Sequence, residues 1–260
     1  LMGIDADGEV ADSGSYRNDG LADFIGVVAF NIKEKTCTVL HINRDTMTDM
    51  NALGLGGSVV GTVNAQIALS HSYGSGLEDS CINTKGAVSK LLYNIVISNY
   101  ISLNMDGLPV LNDLVGGVEV TLDDDLTAVD SALKKGETVL LNGEQAVKFV
   151  RARYAVENQT NLERMSRQRQ YMDSFYSVFT KELTDEKINM NEVFDKIEPY
   201  MVTDCNTGVV SMLSDKIKNY EFKGVVSVSG KTETGEDGVE FYPDETELKK
   251  TVLDIFYKPE

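Results

Sequence analysis

The chain opens on an apolar run, residues 1–4, that predicts a short first strand. Two longer runs rich in Val, Ile and Phe follow at 23–32 and 37–43. The polar residues 33–36 between them predict a hairpin. Residues 44–57, with three glycines, read as a loop, while 58–70 and 80–94 read as helices. A short strand is expected at 99–103, a short helix at 107–115 that stops at Gly116-Gly117, and another strand at 118–122. Asn142 stands as an N-cap before Gly143, Glu144 and Gln145. Ala146, Val147, Phe149 and Val150 then repeat at helical spacing, so 142–154 predicts a helix.

A second helix is expected over 162–181. There Met165, Met172, Phe175, Tyr176 and Phe179 form an apolar stripe, read as core, and Arg164, Arg167 and Gln168 share the opposing face at i, i+3 and i+4. A loop at 155–161 would let the two helix ends converge. Further helices are expected near 191–200, 208–219 and 244–256, with a strand at 224–229 and a Gly-rich turn at 235–238. Strands and helices alternate without a composition break or repeat. The fold expected is α/β: an α-β-α sandwich with a central mixed, twisted sheet flanked by helices, with 1–260 as one domain.

Charge changes the picture. Forty-one acids against 24 bases give a net charge of −17, which argues against nucleic acid as a partner and against adsorption to an anionic membrane through basic residues. An anionic ligand would need a local cluster of bases working against the global field. The arginines supply one. Arg17 and Arg44 stand alone, whereas Arg151, Arg153, Arg164, Arg167 and Arg169 crowd into one short segment. Lysine serves well as a solvated charge, but arginine's planar fork suits bidentate recognition of phosphate or carboxylate. The segment therefore reads as a di-anion site, with helix-surface pairing to Glu157 and Glu163 as the alternative.

Other chemistry is thinner. Asp5, Asp7, Glu9, Asp12 and Asp19 make the first loop acidic, and oxygen ligands of this kind can hold Mg²⁺ or Ca²⁺ or can simply be solvated. Asp123-Asp124-Asp125 reads as surface. Two histidines exclude a His-rich metal site, and His41 reads as strand packing. Of three cysteines, Cys37 reads as buried, and Cys81 and Cys205 are the pair that an oxidising compartment could join. The uncharged stretch 51–77 is too rich in Gly, Ser and Asn to read as a membrane span.

Taken in order, Gly3-Ile4-Asp5, Arg17-Asn18-Asp19, the strand pair ending in His41-Ile42-Asn43-Arg44-Asp45, Leu114 to Val120, Leu141 to Ala146, Val150-Arg151-Ala152-Arg153 and Arg164-Met165-Ser166-Arg167-Gln168 form an ordered set. In this the chain resembles the LytR-CpsA-Psr (LCP) family of bacterial cell-wall glycopolymer transferases. The resemblance implies a phosphotransferase that moves a glycopolymer, such as teichoic acid or capsule, from undecaprenyl pyrophosphate to peptidoglycan. It implies Mg²⁺ on Asp5 and Asp19, pyrophosphate held by Arg17, Arg44, Arg151, Arg153, Arg164 and Gln168, and Arg44, Arg17, Asp19 and Asp5 as the catalytic set. Asp45 would orient Arg44. A polyprenyl tunnel lined by residues such as Val27, Ala29, Leu40, Leu91, Leu92, Val96 and Phe149 follows from the same resemblance. So do a membrane anchor upstream of residue 1 and a place on the outer face of the membrane, in the wall of a Gram-positive bacterium. Two readings compete: a non-catalytic binder of polyprenyl-pyrophosphate lipids or wall polymers, and a polyprenyl-pyrophosphate pyrophosphatase. The chain departs from the family pattern at Gly20, where a hydroxyl residue is usual, at Asn43, where proline is usual, at Asn161, near which an acid is usual, and over 68–73.

Overall fold

The computed structural model describes residues 1–54, 57–152, 161–235 and 238–257. Along the chain come β1 (Met2–Ile4), β2 (Ala22–Asn31), β3 (Thr36–Ile42), β4 (Met47–Leu53), β5 (Val59–Gln66), a 3₁₀ turn (Ile67–Ser70), α1 (Glu78–Leu91) and β6 (Ile101–Asn104). Next are α2 (Gly107–Leu114), β7 (Val118–Thr121), β8 (Thr138–Leu141), α3 (Gly143–Arg151), α4 (Asn161–Thr184) and α5 (Met190–Ile197). The chain ends with β9 (Met201–Thr203), α6 (Thr207–Asn219), β10 (Glu221–Val226), β11 (Gly230–Gly235), β12 (Gly238–Pro243) and α7 (Glu245–Phe256). Two compact units result: residues 1–105, 199–206 and 220–260 form the first, and 106–198 with 207–219 form the second.

The first unit holds the central six-stranded sheet in the order β10-β3-β2-β1-β6-β9. The sheet is mixed: β1 is antiparallel to β2 and parallel to β6, while β3 is antiparallel to β2 and parallel to β10. Side chains alternate across the strands. One face therefore gathers Met2, Ile4, Ile25, Leu40 and Ile42, which pack with Cys81, Ala87 and Val88 of α1 and Leu248 and Val252 of α7. Each fully buried Ile or Leu there contributes about 1.5–3 kcal/mol. Opposite Leu40 and Ile42, the alternate positions Phe24 and His41 place their rings 4.6 Å apart. That agrees with the packing role expected of His41.

The mixed α/β fold is as expected, and most elements fall where the pattern put them. Residues 44–70 do not. The expected loop over 44–57 contains β4, and the expected helix over 58–70 is β5 followed by the 3₁₀ turn, the two strands forming an antiparallel hairpin. The reason lies in Val59, Val60, Thr62 and Val63, which crowd a helix and suit a pleated ribbon. Thr48 and Met50 of β4 are buried on alternate positions, as a half-covered strand requires.

The second unit is helical apart from the β7–β8 hairpin. Asn142 caps α3 in a reciprocal capping box: its side chain accepts from Gln145 N (3.0 Å), and Gln145 Oε1 accepts from Asn142 N (3.2 Å). Asp113 of α2 accepts from Gly143 N (2.8 Å) at the same helix start. On α4 the expected faces are partly exchanged. Arg164, Arg167 and Gln168 are buried together with Met165, Tyr171 and Phe179, whereas Met172, Phe175 and Tyr176 are half-buried. The expected loop over 155–161 lies almost wholly outside the described residues.

Candidate anion site

In the first unit the site is built from two segments that hold one another. The loop after β1 runs beside the turn that precedes α1. Asn18 N donates to Ser72 O (3.1 Å), Gly74 N donates to Tyr16 O (2.7 Å), and Arg17 pairs with Tyr73 in an antiparallel bridge. The Asn18 side-chain amide reaches His71 O (2.9 Å), Gly74 O (3.1 Å) and Ser80 Oγ (3.2 Å), and its Oδ1 accepts from Gly20 N (2.8 Å). Two glycines allow this fit. A Cβ on Gly74, whose φ is +143°, would stand 2.4 Å from Ser80 Oγ. A Cβ on Gly20 would stand 2.8 Å from Ile4 Cγ2 and 2.9 Å from Asn18 Oδ1. The missing hydroxyl residue at position 20 is thus explained: Asn18 and Ile4 fill its space.

Arg17 is exposed, and its guanidinium carbon lies 3.8 Å from the Tyr73 ring centroid. Among the described residues no acceptor takes any of its side-chain N–H groups. Asp19 is exposed two residues on, and Asp5 is half-buried at the end of β1. Asp5 N donates to Leu21 O (2.9 Å), which ties Asp5 to the backbone two residues past Asp19. Among the described residues no group of three or more His, Cys, Asp or Glu side chains gathers to hold a metal. Two hard carboxylates nevertheless suit Mg²⁺, which commonly takes one or two protein carboxylates and completes its shell with phosphate oxygens and water.

Arg44 sits just past β3 in a turn closed by Asn43, whose Oδ1 accepts from Asp45 N (2.9 Å) and whose carbonyl accepts from Thr46 N (3.0 Å) and Thr46 Oγ1 (2.6 Å). This Asx turn does by hydrogen bonding what proline does by ring closure, which accounts for Asn43. Arg44 Nη1 binds Asp23 Oδ1, and its Nε lies 3.4 Å from Asp45 Oδ1. Asp23 was not singled out from the sequence. Its signal was there to find: an acid at the start of an otherwise apolar strand demands a partner.

His71 links this cluster to pH. It is 3% exposed, and its Nδ1 lies 3.1 Å from Gly20 O, so the ring proton sits on Nδ1 and the carbonyl accepts it. Nε2 is buried and has no hydrogen-bond partner among the described residues. Burial pushes the imidazole below its ordinary value of 6.5, against the opposing pull of the Gly20 carbonyl and Asp79. The unfolded chain therefore takes up this proton first as pH falls, and stability is lost below about 6.5. Thermal melts between pH 7.5 and 5 should show this loss, and His71→Gln should flatten it. An unchanged pH slope in His71→Gln would contradict the assignment.

The second unit carries the other predicted residues. Arg151 is exposed in the last turn of α3, and Arg153 lies outside the described residues. Arg164 is buried, and its Nη2 donates to Asn161 Oδ1 (2.8 Å), so Asn161 serves as a neutral acceptor near the place where an acid is usual. Gln168, one turn on, is buried, and among the described residues its Oε1 has no hydrogen-bond partner. Arg167 behaves differently. Its Nε donates to Phe149 O (3.1 Å), one Nη to Ala152 O and the other to Asp124 Oδ2 (2.9 Å). It ties down the carboxyl end of α3, so the expected surface role of Asp124 is corrected: it is the counter-ion of a buried arginine. Val96, expected among tunnel residues, is 92% exposed, whereas Leu40, Leu91 and Leu92 border a small apolar pocket in the first unit with Val228, Phe241 and Leu248. Cys37 is buried as expected, and Cys81 and Cys205 are both free thiols.

Known proteins can be set beside this geometry. A teichoic acid transferase TagU of Bacillus mycoides is 32% identical over 174 residues, covering 67% of this chain and 49% of that protein. The chain thus spans about half the length of this relative. The namesake in Bacillus cereus is 27% identical over 247 residues, covering 93% and 71%. Among solved structures, protein gbs0355 of Streptococcus agalactiae superposes with a TM-score of 0.77 at 22% identity, covering all of this chain and 87% of that one, which shows a shared fold. The sequence profile of the LytR_cpsA_psr family matches residues 1–254, and the chain belongs to that family.

Proposed function

We propose that the chain is the catalytic region of a phosphotransferase that moves a teichoic-acid-like glycopolymer from a polyprenyl pyrophosphate carrier onto peptidoglycan. The observation that carries this reading is Arg17, an exposed guanidinium whose N–H groups find no acceptor among the described residues, in a chain of this family. The names of the TagU relatives, polyisoprenyl-teichoic acid–peptidoglycan teichoic acid transferases, support the choice of donor and acceptor. The site of action would be the outer face of the membrane and the wall beyond it. No helix among the described residues is long and apolar enough to cross a membrane.

In such a reaction an acceptor sugar hydroxyl forms a new P–O bond and gives up its proton to solvent, the bond to the bridging oxygen breaks, and polyprenyl phosphate leaves. Positioning and charge neutralisation do most of this work, and no protein nucleophile is needed. Arg17 and Arg44 would bind pyrophosphate oxygens; Arg151, Arg153, Arg164 and Gln168 are the further anion-binding candidates that the family resemblance supplies. Asp5 and Asp19 would hold Mg²⁺, which when bound supplies positive charge against the phosphates. Chelation with EDTA should therefore abolish transfer, and added Mg²⁺ should restore it. Transfer at full rate in EDTA would remove the metal from the reading.

A further inference from the structure

The arginines differ in what holds them. Arg44 donates from Nη1 to Asp23 and is ion-paired with Asp45 through its Nε, Arg164 donates from Nη2 to Asn161, and Arg167 spends its fork on two carbonyls and a carboxylate. Arg17 is held by a ring face. All five guanidinium donors lie in the plane of the group, and its flat faces carry none. Stacking therefore fixes the plane without consuming a donor and without adding a compensating negative charge. In a chain with 41 acids, an arginine braced by an aromatic face keeps its full charge for a ligand.

The ring is itself held. Tyr73 packs on the core of the first unit. Its neighbours are pinned, His71 through its carbonyl by Asn18 and through its ring by Gly20, and Gly74 by Tyr16 and by close approach to Ser80. The phenol hydroxyl makes no hydrogen bond among the described residues, so the ring face is the part in use.

We infer that Tyr73 is a positioning residue for anion binding: its ring sets the plane of the Arg17 guanidinium and leaves every N–H free for phosphate oxygens. This rests on the proposed pyrophosphate role of Arg17. Tyr73 lies in the 68–73 segment, where the chain departs from the family pattern.

The test is calorimetric binding of inorganic pyrophosphate with Mg²⁺ to the 260-residue chain and its variants. Tyr73→Phe keeps the ring and should bind like the parent. Tyr73→Leu removes the face and should bind about three- to fivefold more weakly, the range of a partly exposed cation–π contact. Arg17→Ala should lose at least about tenfold, a loss of charge-assisted hydrogen bonds. Tyr73→Leu added to Arg17→Ala should then cost nothing further. Two results would overturn the inference: parent-like binding by Tyr73→Leu, or an equal loss from Tyr73→Leu with Arg17 present and absent. Parent-like binding by Arg17→Ala would instead overturn the anion role underneath it, and the positioning role with it. If Tyr73→Leu melts far below the parent, Tyr73→Met replaces it with the same expectations.

Discussion

Arg44→Ala is expected to reduce kcat/KM for glycopolymer transfer by about 10²–10³-fold, the usual loss when a preorganised donor to a reacting anion is removed. Arg44 stands in a turn whose geometry Asn43 sets, with Asp23 and Asp45 on either side. Both carboxylates are buried, so the same substitution also strips them of their cation. A destabilisation of about 3 kcal/mol should accompany the kinetic loss. The two effects are separable with Arg44→Lys. Lysine keeps the charge between the acids but offers no fork, so most of the stability should return while most of the activity does not. Urea unfolding measured beside single-turnover transfer checks both. Full activity in a folded Arg44→Ala protein would remove Arg44 from the site.

Arg167→Ala should be the most damaging arginine substitution for stability, at about 3–5 kcal/mol. The side chain is 4% exposed and satisfies Phe149 O, Ala152 O and Asp124 at once. Its loss takes this donor from Phe149 O and Ala152 O and leaves Asp124 without this cation. Lysine at 167 should rescue little, because one ammonium cannot reach three acceptors placed for a planar fork. A melting temperature within a degree of the parent would contradict this assignment. Arg167 shares a helix face with Arg164, and only the acceptors around each separate the two.

That contrast shows where the sequence was legible and where it was not. Apolar spacing and the Asn142 cap located α3, and the helical pattern over 162–181 located α4, because those signals are local. The burial of Arg167 depended on Phe149, Ala152 and Asp124, which meet it only through tertiary packing. The β4–β5 hairpin was missed for a simpler reason. Gly54, Gly56 and Gly57 read as a loop, and the apolar spacing after them outweighed the β-branched run Val59-Val60-Gly61-Thr62-Val63. In the site, Arg17, Asp19, Arg44 and Asp5 stood out by residue type and order. Asp23, Tyr73 and His71 did not, since each acts by what it holds: Asp23 holds Arg44, the Tyr73 ring meets Arg17, and His71 holds the Gly20 carbonyl. In sequence, Gly20, Asn43 and Asn161 depart from the family pattern. In the structure each has a local partner: Ile4 and Asn18 fill the space at 20, Asn43 closes an Asx turn, and Asn161 accepts from Arg164.

The most direct measurement is transfer itself. The purified chain would be mixed with a polyprenyl-pyrophosphate-linked saccharide, Mg²⁺ and a peptidoglycan oligomer, and products followed by mass spectrometry. The account predicts saccharide joined to the oligomer through phosphate, with one polyprenyl phosphate released for each transfer. Tight binding of the lipid without turnover, or polyprenyl phosphate released while the oligomer stays unmodified, would contradict it.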